Sequence, residues 1–244
     1  MNQTQGIIYL SELRECFQTE TFRSFTTLPN PNYAEPPFNE IVKFLDNTLV
    51  SQKSCQLLSD SDYHILLIPL VGAIEIKDAQ KRDNFINAGE LGVFSVKKGD
   101  TLNIQNPYEE ALINYLEIWL KCEKSSDNEL QTYTFNLDDE LNQLIEITHV
   151  NQQIRILMGK FGGRMEGELP CQDESKVFVF VINGAFEVQN RLVEARSALA
   201  LWDVESLDFE GLAPENIILI LKEHCVSESE RKSSFKTTTS IKLV

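Results

Sequence analysis

The chain has 244 residues, 42% of them hydrophobic and 24% charged, which suits two modest globular cores at about 100 to 200 residues per domain and excludes a disordered, fibrous or disulfide-stapled class. Lysine and arginine number 22 against 37 aspartates and glutamates, a net charge of −15 that repels nucleic acid and anionic membrane surfaces. The five cysteines stand far apart without a CxxC pair, and Met1 to Gln5 carry neither the basic nor the apolar region of a secretory signal, so free thiols in a reducing cytoplasm are expected. The longest apolar run, 65–71, is stopped by Gly72 and falls well short of the roughly 20 residues that cross a bilayer.

Taken in chain order, the apolar stretches are short, rich in Val, Ile, Leu and Phe, and broken by Gly, Asn, Asp and Pro about every ten residues, the punctuation of an all-β barrel or sandwich. A short helix is expected over Leu10 to Phe17. Strands are expected over 41–45, 64–71, 73–77, 91–96, 101–105 and 111–120. Residues 137–145 read as either helix or extended chain. Further strands are expected over 153–158, 177–182, 185–188, 198–202, 207–209 and 217–221. Gly159 to Arg164 has a superficial phosphate-loop composition, but it follows a strand and opens no helix, so a hairpin or inter-strand loop is expected. The polar stretch 227–236 reads as an extension by composition. Residues 237–244 are β-prone and suit addition to a sheet edge, of this chain or a neighbouring one.

One order of motifs occurs twice. Gly72-Ala73-Ile74-Glu75-Ile76 returns as Gly184-Ala185-Phe186-Glu187-Val188, each after an apolar run. Leu91 to Ser95 and Thr101 to Ile104 lie about as far beyond the first copy as Leu199 to Asp203 and Ser206 to Phe209 lie beyond the second. Each half then closes on an apolar strand, so the expected architecture is two similar β-barrels in tandem. Trp202 and Phe186 are the expected core aromatics of the second.

The sequence also resembles the pirin-like bicupins, the group that includes bacterial quercetin 2,3-dioxygenase-type proteins. The resemblance rests on Thr21 to Phe25, Val42 to Leu49, Leu70 to Asp78, Ala88-Gly89-Glu90, Leu116-Glu117-Ile118-Trp119-Leu120 with Glu123-Lys124, Ala200 to Asp203 and Ile217 to Leu221. It implies two tandem cupin (RmlC-like jelly-roll) barrels. The expected division is a pirin-like barrel over 1–125, a second cupin over 126–226 and a polar extension over 227–244. The resemblance further implies a divalent metal, such as iron, in the first barrel, held by three histidines and a glutamate. Counted from Gly72 and Gly99, those positions fall on Leu58, Asp60, Leu102 and Ile104. Three of the four lack a lone pair, so no cofactor is expected.

His64 has the strand parity of Asp60, and a relocated metal on these two would need Asp62, Glu75 or Cys55 as well. Asp60 and His64 are also the only pair to nominate as a general base. Loss of the metal removes the step it would supply to flavonol oxygenation. The favoured expectation is therefore a metal-free bicupin without quercetinase activity that binds a small ligand or a protein. Its ligand pocket would lie at Leu58, Asp60, His64, Leu102 and Ile104, in a barrel made more apolar beside Phe94 and Ile68, which either packs shut or takes a small apolar ligand. The alternative is a quercetinase-like oxidoreductase with the relocated metal. Monomer and homodimer through the extension both remain open.

Overall fold

The computed structural model describes residues 4–33, 38–77, 83–122, 130–150, 153–171 and 175–224. The extension from Ser227 to Val244, Asp78, Glu123, Lys124 and Cys225 lie outside them. In chain order the first strands are β1 (Gly6–Tyr9), β2 (Glu15–Gln18), β3 (Phe22–Leu28), β4 (Ile41–Leu49), β5 (Ser54–Leu58), β6 (Tyr63–Val71) and β7 (Ile74–Lys77). Next come β8 (Asp83–Ile86), β9 (Glu90–Val96), β10 (Thr101–Gln105), β11 (Ile113–Lys121), β12 (Leu130–Thr134), β13 (Leu144–Val150) and β14 (Ile154–Gly162). The last are β15 (Glu166–Pro170), β16 (Lys176–Asn183), β17 (Ala185–Val188), β18 (Arg191–Glu194), β19 (Ala198–Leu201), β20 (Ser206–Gly211) and β21 (Glu215–Glu223).

These strands form four sheets in two matching pairs. The first barrel combines β12-β9-β6-β11-β4-β3-β2 with β5-β10-β7-β8, and the second combines β1-β19-β16-β21-β14-β13 with β15-β20-β17-β18. From β3 to β11 the first order becomes the second when each strand advances by ten, so the repeated motifs are repeated topology. The turns that begin the repeat agree: Gly72 and Gly184 have φ of 78° and 76°, a conformation glycine adopts without cost. The strands do not sort at residue 125. β12 lies beyond that point yet pairs with β9 of the first barrel, while β1, at the chain's start, pairs with β19 of the second.

The large sheets are apolar on both faces. On β6, Tyr63, Ile65 and Leu67 point into the first barrel, while Leu66 and Ile68 point out toward the second. On β16, Val177, Val179 and Val181 point in, and Phe178 and Phe180 point out. Burial on both faces explains why these strands read as continuous apolar runs rather than alternating ones. The outward faces meet in one seam in which the Phe44 ring packs, tilted, at 5.0 Å from Phe178 and 4.7 Å from Phe180. Tyr9 and Phe38 pack on the same Phe178 ring at 6.4 and 5.9 Å.

Four local expectations are corrected. Residues 10–17 form a single 3-10 turn at Ser11–Leu13 followed by β2. No residue of that turn is buried, and eight residues are too few for a helix without a packed face, whereas the β3 ladder satisfies Glu15–Gln18 directly. Residues 137–143 are turn, with Asn142 left-handed at φ 60°, and the strand begins only at Leu144. Gly159 to Gly162 is the end of β14, and only Gly163 and Arg164 form the expected turn. A side chain at Gly159 would meet the Phe161 ring at 2.5 Å and the Gln143 carbonyl at 2.7 Å, so close packing requires this glycine. Phe186 is in the second core, but Trp202 is half-buried at its rim, where its indole N–H donates to Gln5 Oε1 at 2.7 Å.

Among the described residues no helix is long and apolar enough to cross a membrane. Because Tyr9, Phe38 and Phe44 all pack on the Phe178 ring, Phe178→Ala is expected to cost about 3–5 kcal/mol, read as a lower urea midpoint in equilibrium unfolding.

Candidate functional site

The first barrel differs from the second in what fills it. The second is filled by apolar side chains, with Phe161, Phe186 and Phe209 in mutual edge contact. In the first, β4 and β11 send polar groups inward between the apolar ones. Their register sets Lys43 opposite Trp119, Leu45 opposite Glu117 and Asn47 opposite Tyr115, and directly opposed residues share a face. Lys43, Trp119, Glu117, Asn47 and Tyr115 thus form a file along the barrel.

Glu117 is its centre, 1% exposed. Its Oε1 accepts from the Trp119 indole at 2.6 Å and its Oε2 from the Asn47 amide at 2.7 Å. Lys43 Nζ lies 4.1 Å over the Trp119 ring, and Tyr63 packs edge-on to the same ring at 5.1 Å. Below Asn47, the Tyr115 hydroxyl and Cys55 Sγ are 3.4 Å apart. Burial pushes the Glu117 carboxyl up to about 7, against the opposing pull of Trp119, Lys43 and Asn47. Burial likewise raises the Tyr115 phenol well above its usual range and the Cys55 thiol to about 11, so both stay protonated and neutral. The Asn47 carbonyl oxygen is buried without a partner. A half-turn of this amide would present that oxygen to a protonated Glu117, so one side chain can serve either charge state.

The residues nominated from sequence do not converge on this file. Leu102 and Ile104 are in the first core, 4% and 0% exposed. They lie across from Leu57 and Cys55, which point in with them. Leu58 therefore points out, opposite Thr101, and is 66% exposed. Phe94 lines the first barrel as expected, but Ile68 belongs to the seam. Asp60 sits in the turn between β5 and β6, where strand parity does not carry through. It is exposed, and it accepts a hydrogen bond from the Tyr63 hydroxyl. His64 points away from the barrel interior that holds Tyr63 and Ile65, with Nδ1 2.9 Å from Ser95 Oγ on β9.

The three added candidates scatter as well. Asp62 accepts from the Lys98 backbone N–H at 3.0 Å, Glu75 pairs with Lys77 at 3.5 Å, and Cys55 is held by Tyr115. Among the described residues no three His, Cys, Asp or Glu side chains are grouped to hold a metal. The sequence reading missed Glu117, Asn47 and Tyr115 as a unit. The available signal was a glutamate in the middle of the apolar run Ile113 to Leu120.

The comparisons with known proteins agree with this architecture. Residues 143–220 match the family model described as the quercetinase C-terminal cupin domain. The crystal structure of YhhW from Escherichia coli superposes with a TM-score of 0.79 at 16% identity, over 92% of this chain and 100% of that one. The chain shares the fold of the pirin-like bicupins. The bacterial pirin YhhW in complex with nickel(II), also from Escherichia coli, superposes at 0.77 with 16% identity, over 91% and 100% of the two chains. Quercetin 2,3-dioxygenase from Acinetobacter baumannii gives 0.68 at 11% identity over 96% of each. At these identities the likeness is one of fold. Among curated proteins no sequence matches.

The donor set of this bicupin does not fit the divalent metal its fold relatives imply. Leucine and isoleucine offer no lone pair, Asp60 is exposed in the turn before β6 and bonded to Tyr63, and His64 points away from the barrel interior toward Ser95.

The carboxyl inside the barrel has a measurable consequence. Glu117 holds its proton more tightly folded than unfolded, since its ordinary value is 4.5 and its folded value is about 7. The stability it contributes is complete below the unfolded value and is lost as pH rises through the folded one. Relative to Glu117→Gln, the native chain is expected to lose about 3 kcal/mol between about pH 4 and about pH 8. Urea unfolding of both proteins at the two pH values checks this, and an equal change in both would contradict the assignment.

Proposed function

We propose that this bicupin has given up the metal chemistry of the quercetinase type and acts as a small-ligand-binding or protein-interaction module. The observation that carries the reading is the chemistry at the inherited metal positions: Leu58 faces solvent, Leu102 and Ile104 are packed in the core, and Asp60 is bonded to Tyr63. A first-row metal needs several converging nitrogen or oxygen donors to be held and to orient a substrate's hydroxyl. One exposed carboxylate supplies one. A metal moved onto Asp60 and His64 is disfavoured by their placement, because His64 is engaged with Ser95 beyond the barrel wall.

The packed state of the first barrel supports the same reading. Tyr115, Trp119 and Glu117 point into it with almost no exposure, which favours an interior filled by side chains over one open to a flavonol. A binding function then belongs to a surface outside the barrel. The acidic charge of the chain favours a ligand or protein partner over nucleic acid, and a cytoplasmic location is consistent with cysteines that form no disulfide among the described residues.

Inductively coupled plasma mass spectrometry of untagged protein, with quercetin turnover measured on the same preparation, tests the proposal. Iron, nickel, manganese, copper and zinc are expected far below one per chain, with no turnover. Near-stoichiometric metal that is lost in Asp60→Ala or His64→Ala would overturn it.

A further inference from the structure

We infer that the open end of the seam between the two barrels is a binding site for a small organic carboxylate with an apolar body, held by Arg23, Arg14 and Arg196. This deepens the reading of the chain as a ligand-binding module. It is independent of the metal question, because the site lies outside the first barrel.

The seam changes character along its length. On β4 the side chains facing the second barrel run Phe44, Asp46, Thr48, and on β11 they run Ile118, Leu116, Asn114. Where the apolar residues end, the two barrels leave a cleft of about 380 Å³, within the ordinary range for a small-molecule site. Three guanidinium groups line it with a single carboxylate, Asp46. Asp46 Oδ2 accepts from Arg14 Nη1 and from Arg196 Nη1, each at 3.1 Å, and Oδ1 accepts from Asn114 Nδ2 at 2.8 Å. Both oxygens of Asp46 are engaged, and two positive charges remain uncompensated in a chain whose net charge is −15.

Those charges sit in costly positions. The Arg14 side chain is only 5% exposed, and a buried guanidinium is stable only when its donors are satisfied. Its Nε donates to the Ser11 carbonyl and its Nη1 to Asp46, while Nη2 has no described acceptor. Arg14 and Arg23 both lie against the Phe25 ring, at 4.7 and 5.2 Å, so two like charges share one aromatic ring. Arg23 forms no ion pair among the described residues. Arg196 reaches in from the second barrel out of a left-handed backbone at φ 63°, a conformation less favourable than the usual one for a non-glycine residue. Clustered arginines, an aromatic platform and a strained residue all point into the same cleft.

The ligand class follows from the walls. The planar fork of arginine matches a carboxylate through paired N–H donors. Beside the arginines stand Val71 and Leu112, 57% and 55% exposed, large apolar side chains left in water at the rim. A carboxylate with a flat apolar body would neutralise the arginines and cover this rim together. The acidic exterior would repel other anions, leaving this cleft as the favourable place for one.

Calorimetric titration of the full chain with cinnamate, and with the neutral cinnamamide, tests the inference. Saturable binding of one cinnamate per chain is expected, with cinnamamide weaker by roughly ten-fold or more. Arg23→Ala should weaken cinnamate by roughly ten-fold. Arg23 is exposed, and an unchanged melting temperature would show that the fold is kept. Leu112→Glu, which brings a carboxylate to the rim, should abolish binding. No saturation at millimolar cinnamate, equal binding of the amide, or an unaltered affinity in Arg23→Ala would overturn the inference. The metal content of the same preparation reports separately on the barrel.

Discussion

Everything else in this molecule hangs on the aromatic seam between its two large sheets. Phe44 from the first barrel is wedged against Phe178 and Phe180 from the second. Around it Leu66, Ile68, Leu116, Ile118, Ile154, Ile156, Leu219 and Leu221 bury the outward face of both sheets in one core. Neither barrel could leave that face in water, since the exposed apolar patch would far exceed what soluble monomers carry. The two barrels are therefore one cooperative unit in energetic terms, although each has its own interior. The crossed use of β1 and β12 reinforces the point: the chain's first strand pairs in the second barrel, and a strand past residue 125 closes an edge of the first.

The two-sided burial also explains why the repeat survives as topology while the interiors have diverged. In the second barrel Ile218 and Ile220 of β21 point inward among phenylalanines. In the first, the closing strand places Glu117 inward, with Asn47 and Trp119 donating to it. A single buried carboxyl is tolerable because two good donors and a nearby lysine offset part of its desolvation and protonation relieves the rest. Converting both partners to apolar residues would cost less than losing one of them, which makes Glu117, Asn47 and Trp119 a set. Such a set rigidifies the barrel.

Much of the architecture was legible in the sequence because two-sided burial writes long apolar runs, and the glycine turns at Gly72 and Gly184 mark the same step of each barrel. The short exposed strands β2, β5, β8, β12, β15 and β18 were not read, since their partly polar residues resemble loops and are extended only through their neighbours' hydrogen bonds. The site was legible in what it lacks and illegible in where its residues point. Counting from Gly72 put Leu58 and Asp60 at the expected positions, but the turn at residues 59–62 breaks the alternation on which a facing argument depends. His64 shows the same error from the other direction: its parity within β6 is fixed by Tyr63 and Ile65, not by a residue across a turn. Glu117 could have been noticed as a charge in an apolar strand, yet only the register with β4 reveals Asn47 as its partner.

The arginine cleft lay beyond sequence reasoning altogether, and its location follows from the seam. Arg14 comes from the segment before β2, Arg23 from β3 and Arg196 from the turn between β18 and β19, positions spread over the whole chain. They meet because the two sheets can stay in apolar contact only over part of their length; where they part, the exposed end must be lined by polar groups. Asp46 is the pivot of that transition. It lies on the same face of β4 as Phe44, one step further out, and it ties an arginine from each barrel to one carboxylate. An ion pair network there could have been neutral, with one arginine per acid. That the lining instead carries an excess of arginine over carboxylate, next to Val71 and Leu112, is what separates a binding cleft from a structural clasp.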